Sequence, residues 1–157
     1  DALVLLDCSA PKCAPAVRAA LVDVLAEACA GTLKSLLEAG RATHLPLSPS
    51  GQGEFSGHDA QALPAMLRAV AAAGYSETTD FSRVLWLASR RMQRTGSTAI
   101  LTTRLTPAVA DAAIALSRMG SKMRFTLVTA GEPSEEEAQL LHLLFASGLE
   151  TAHIRAA

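Results

Sequence analysis

Aromatic side chains are scarce in this 157-residue chain: one Trp, one Tyr and four Phe, 4% of the residues. Tyr75 and Trp86 are too few to build the stacking platform on which single-stranded nucleic acid is bound. Basic charge is not in excess either, with 14 Lys plus Arg against 15 Asp plus Glu and a net charge of -1. Binding a phosphate backbone relies on a basic surplus that displaces counterions, so no nucleic-acid partner is expected. No stretch of about 18 apolar residues is free of charges and breakers, so nothing is expected to span a bilayer or to bring this domain into direct membrane contact. The three cysteines, Cys8, Cys13 and Cys29, are an odd number without CxxC spacing. They predict neither a disulfide framework nor a zinc site, but reduced thiols in a cytoplasmic fold.

The motifs of several enzyme classes are missing too. There is no GxxxxGK[ST] phosphate loop, no GxSxG elbow and no HExxH. His44, His58, His142 and His153 are scattered with no i,i+4 pair. Gly51, Gly53 and Gly57 do not make a GxGxxG fingerprint and read as a turn. The chain starts at Asp1 and enters an apolar run at once, without a signal-peptide pattern. This predicts one domain, residues 1–157, cut from a longer protein whose flanks and oligomeric state are unspecified.

What is present is a core. Half of the residues are hydrophobic, and a chain of this length can remove roughly 70% of its unfolded surface from water without metal or disulfide staples. Ala2 to Leu6 is a continuous apolar run, the pattern of a strand covered on both faces. From Ala14 to Ala39, Val17, Leu21, Val24, Leu25, Ala28 and Leu36 trace a helical stripe, with Pro15 in the first turn and Gly40 at the end. Thr43 to Leu47 predicts a second strand, 48–53 a turn, and Glu54 to Ser56 a short edge strand. A helix is expected over Gln61 to Ala73, a polar loop over Tyr75 to Asp80, and a helix over Phe81 to Gln93 with Val84, Leu85, Ala88 and Met92 on one face. Thr98 to Thr103, Met123 to Thr129 and Leu149 to Arg155 read as strands. Thr106 with Pro107 opens one intervening helix, and the Ser134/Glu137 capping box opens another, with Leu140, Leu141, Leu144 and Phe145 facing the core.

Strands alternating with amphipathic helices predict an α/β fold: a three-layer, doubly wound, mainly parallel sheet of about six strands with one short antiparallel edge strand. Such folds bind ligands beyond the carboxyl ends of their strands. The candidate loops are therefore 7–13, 75–80 and 102–106, and the candidate binding residues are Asp7, Ser9, Thr79, Asp80, Thr102, Thr103 and Arg104. Local roles compete with these assignments, because Asp7 and Ser9 can shape a turn and Asp80 can cap a helix.

Asp7-Cys8-Ser9-Ala10-Pro11 after the first strand, Thr79-Asp80 in mid-chain and Thr102-Thr103-Arg104 after a later strand resemble the metal-ion-dependent adhesion site of von Willebrand factor type A domains. More narrowly, the chain is similar to a bacterial type A-like family, domain of unknown function 58, often encoded beside MoxR-type AAA+ ATPases. The resemblance implies a type A-like fold, a protein partner such as that ATPase, and a parent protein that can be membrane-anchored with this domain on the cytoplasmic side. It maps metal ligation onto Asp7, Ser9 and Thr79. Pro11, however, stands where a second Ser is usual, and Thr102 to Arg104 stand where an Asp is usual. Losing a hydroxyl ligand and a carboxylate disfavours Mg²⁺, which demands near-ideal octahedral geometry. The expectation is a degenerate site with no cofactor, or weak Mg²⁺ at most.

The function expected is a non-catalytic protein-interaction module. The alternatives are a Mg²⁺-dependent adhesion-type binder and a small hydrolase or transferase using Asp7 and Ser9 near Thr79, for which a convincing base is missing. Eight basic residues against one acid, Asp111, fall between Arg83 and Arg124. They are either a surface for an acidic partner or a solvated face neutralised in space.

Overall fold

The computed structural model describes residues 1–47 and 53–156. Most of the expected turn at 48–53 therefore lies outside the described residues. Six strands, β1 (Ala2–Leu6), β2 (Thr43–Leu45), β3 (Phe55–Gly57), β4 (Ser97–Thr102), β5 (Lys122–Thr129) and β6 (Glu150–Arg155), form one sheet in the order β3-β2-β1-β4-β5-β6. All neighbours are parallel except β2 and β3. The fold is α/β with an antiparallel edge strand, as the alternating pattern predicts.

Helix α1 (Pro15–Glu38) and helix α2 (Leu63–Ala72), entered through a 3₁₀ turn at Ala60–Ala62, cover one face. Helices α3 (Phe81–Leu87), α4 (Ser89–Arg94), α5 (Pro107–Ser117) and α6 (Glu135–Ala146) cover the other. β1 feeds both cores: Leu3 and Leu5 pack toward α3 and α5, Val4 and Leu6 toward α1. That is why its apolar run is unbroken. With two helices against four, the α1 face leaves a groove of about 560 Å³ between α1 and β4, β5 and β6, floored by Ala99, Thr126, Ala152 and Ile154. Among the described residues, no helix is long and apolar enough to cross a membrane.

Local rules held where a cap decides the outcome. Thr106 accepts from Val109 N–H with Pro107 in the first turn, and Ser134 and Glu137 close a reciprocal capping box. Gly40, at φ +74, ends α1 as its N–H reaches Leu37 O and the next N–H reaches Leu36 O.

Four expectations are corrected. The buried stripe of α1 is Leu21, Leu25, Cys29, Leu33 and Leu37, while Val17 is exposed. The helix expected over Phe81 to Gln93 is divided at Ala88, whose near-zero ψ separates α3 from α4, while Leu85, Ala88 and Met92 stay buried on the expected face and Trp86 and Leu87 face solvent. Phe145 is 67% exposed; Leu144 is buried and Leu140 and Leu141 pack at the core margin. Tyr75, placed in a polar loop, is buried at φ +50.

Candidate functional site

The winding of the sheet reverses between β1 and β4: the chain leaves β1 for β2 on one side and β4 for β5 on the other. Connections diverge there, opening a crevice at the strand ends. Asp7 follows β1 and Thr102 ends β4, so both stand at this reversal.

Asp7 is 3% exposed. A carboxylate so buried requires donors, and it has two: Ser9 N–H donates to Oδ1 at 2.9 Å and the Thr102 hydroxyl to Oδ2 at 2.6 Å. Thr102 Oγ1 in turn accepts Arg104 N–H at 2.9 Å. One chain of hydrogen bonds thus joins Asp7, Ser9, Thr102 and the Arg104 backbone. The 75–80 loop is strapped alongside: Glu77 N–H donates to Cys8 O at 3.0 Å and Ser9 pairs with Glu77 as a parallel bridge. The Tyr75 carbonyl accepts from Arg18 at 2.9 Å.

Three separate connections therefore meet at one rim, and the predicted residues divide. Asp7, Ser9 and Thr102 are hydrogen-bonded together, while Thr79 stands on the adjoining loop with its hydroxyl 3.4 Å from Glu77 Oε1. Asp80 accepts from Ser82 N–H at 3.2 Å and caps α3, the local role weighed against a binding one. Thr103 and the Arg104 side chain stand outside the network. Pro11 is buried where a hydroxyl ligand would be needed. Among the described residues, no three His, Cys, Asp or Glu side chains converge as metal ligands.

Sequence reading missed two contributors. Glu77 is an acid two residues before Thr79 in a loop already singled out, and its charge was the available signal. The apolar lining carried none, because it comes from two segments distant from each other in sequence. A depression of about 200 Å³ opens at the rim, lined by Asp7, Cys8, Ser9, Glu77 and Thr79 together with Pro46, Leu47, Phe81, Val84, Leu87 and Ala88. Arg91 also borders it, but its guanidinium pairs bidentately with Glu54. Burial, then the charges of Asp7 and Glu77, push the Cys8 thiol up to about 11. Cys8 is thus a protonated thiol and not a nucleophile at neutral pH.

The basic residues clustered in sequence do not form one patch. Lys122 and Arg124 border the groove on the α1 face, whereas Arg83 and Arg90 ride on α3 and α4 across the sheet. Arg91 and Arg124 pair with Glu54 and Glu150, the second pair at 3.8 Å.

Against solved structures, the chain is similar to a von Willebrand factor type A protein from Catenulispora acidiphila, with a TM-score of 0.59 and 16% identity over 98% of this chain and 38% of that one. This chain has a type A-like fold. No protein-family model and no curated protein matches it. At that identity the likeness extends to architecture alone, so the type A-like chain owes its functional reading to its own rim.

Proposed function

We propose that this type A-like domain is a non-catalytic protein-interaction module that docks its partner on the strand-end rim, acting on the cytoplasmic side. The observation that carries this reading is the rim's construction. Its depression, about 200 Å³, is smaller than the roughly 300–1,000 Å³ of small-molecule sites. It suits one protruding side chain. Leu87 at the depression's border and Trp86 beside it in sequence expose apolar surface on α3, and Trp is among the residues that most often anchor protein interfaces. A hydrolase would need a base positioned on its nucleophile, whereas both Asp7 oxygens are engaged by Ser9 N–H and Thr102, and the Glu77 carboxylate accepts from Thr79 and from neither Ser9 nor Cys8.

The rim is a degenerate adhesion site in this reading, and works without a cofactor. Mg²⁺ takes a near-octahedral shell of oxygens and gives up its waters reluctantly. Asp7 already accepts one buried hydrogen bond on each oxygen, which competes with joining that shell, and Pro11 has nothing to add. Glu77 favours the second reading, a Mg²⁺-dependent binder, because it returns a carboxylate near Asp7 and Thr79. Calorimetric titration with Mg²⁺ and Mn²⁺ separates the two: no heat is expected, and micromolar binding abolished by Asp7→Ala would establish the metal-dependent one.

The partner proposed is a MoxR-type AAA+ ATPase, from the resemblance to the domain of unknown function 58 family, and a non-enzymatic role fits that assignment. Binding of a purified MoxR-type ATPase to wild type and to Arg104→Glu, measured by biolayer interferometry, tests it. The expected result is saturable binding whose affinity changes at least tenfold on the substitution. Equal affinities would remove this rim as the docking surface, and absence of binding would remove the ATPase.

A further inference from the structure

We propose that the rim depression receives a lysine or arginine side chain of the partner protein, its aliphatic stem on Phe81, Val84 and Leu87 and its cation facing Glu77 and Asp7. This deepens the interaction reading above and rests on it. Size comes first. At about 200 Å³ the depression lies below the roughly 300–1,000 Å³ of small-molecule sites and suits one long side chain.

Polarity selects which one. The lining combines apolar Leu47, Phe81, Val84 and Leu87 with two carboxylates, Asp7 and Glu77. Arg91 does not cancel them, because its guanidinium is taken bidentately by Glu54. Among the described residues, no cation lies within ion-pair distance of Asp7 or Glu77. The Cys8 thiol registers the same field, since both charges oppose its ionisation.

A carboxylate or phosphate entering here meets like charge. A purely apolar side chain would strip water from Glu77 and supply no donor in return. Lysine and arginine alone combine a long apolar stem with a terminal donor of positive charge. Asp7 already accepts two hydrogen bonds and acts through its charge, while exposed Glu77 is free to accept directly.

The test is selection of a phage-displayed random 12-residue peptide library on the wild-type chain, followed by fluorescence anisotropy and amide NMR shifts with synthesised binders. Glu77→Gln is the variant, since the Glu77 backbone and not its side chain ties the loop to Cys8; circular dichroism checks that it folds. The expected binders share a Lys or Arg, shift the amides of Cys8, Ser9 and Glu77, and weaken at least tenfold when that residue becomes norleucine or when the chain carries Glu77→Gln. Binders that shift the same amides yet lack a basic residue, or ignore Glu77→Gln, overturn the basic-anchor inference and leave the rim as an interaction surface. Binders that shift only amides elsewhere, or no binders at all, overturn both.

Discussion

Thr102→Val isolates the hydrogen bond on which the rim is built. Valine keeps the shape of threonine and loses the hydroxyl, in a residue with no solvent exposure. Two consequences follow from the geometry. Asp7 Oδ2 loses its donor at 2.6 Å, and a hydrogen bond to a charged acceptor is worth about 1.5–3 kcal/mol. The Arg104 N–H loses its acceptor at 2.9 Å; at this partly buried position the cost is about 1 kcal/mol, the low end for an unpaired amide. The expected destabilisation is about 3 kcal/mol. At roughly 2–4 °C per kcal/mol for a domain of this size, the thermal midpoint should drop by about 6–12 °C. Thr102→Ser keeps the hydroxyl and loses one methyl, about 1 kcal/mol, so the smaller residue should be the milder substitution. Thr79→Val, half-exposed with a 3.4 Å contact, should stay within about 0.5 kcal/mol. Urea unfolding followed by circular dichroism reads all three. A Thr102→Val loss below about 0.5 kcal/mol, or a Ser variant worse than the Val variant, would refute the hydrogen-bonded hub.

Three further outcomes are expected. Burial is the leading cause that pushes Cys8 up to about 11 and Cys29 up to about 12 from an ordinary 9.0, and Tyr75 moves the same way. Unfolded thiols then ionise first, so stability is flat below about pH 8 and falls as pH rises from about 9 toward 11–12; urea midpoints across that range check it, and Cys29→Ala should flatten the fall. A Cβ at Gly57 would collide with the Cβ of Ala62, so Gly57→Ala should cost about 1–3 kcal/mol by overpacking, with Gly57→Ala/Ala62→Gly recovering most of it in the same assay. The buried Tyr75 hydroxyl has no hydrogen-bond partner among the described residues, so Tyr75→Phe should be neutral or stabilising by up to about 1–3 kcal/mol; a clear loss of thermal midpoint would reveal a partner for that hydroxyl.

By itself the sequence determined what short-range chemistry controls. The unbroken apolar run of β1 marks a strand buried on both faces, Thr106-Pro107 and Ser134/Glu137 start helices through bonds spanning three residues, and Gly40 ends α1 because it accepts a positive φ. The alternation of these elements carried the sheet, and with it the loops where Asp7, Thr79 and Thr102 would meet. Tertiary structure alone decided which sides face inward and what stands beside Asp7. α1 is apolar on several flanks, so only the sheet's position selects the stripe through Cys29, Leu33 and Leu37 over one through Val17. The division of a helix at Ala88 has no local breaker to announce it, and Phe145 turns outward while Leu144 is buried beneath α6. Glu77 reaches the rim through a bridge to Ser9 across 68 residues of chain, and the apolar lining of the same depression is assembled from β2's exit and α3. Such contacts depend on where whole elements dock, a quantity that no local pattern encodes.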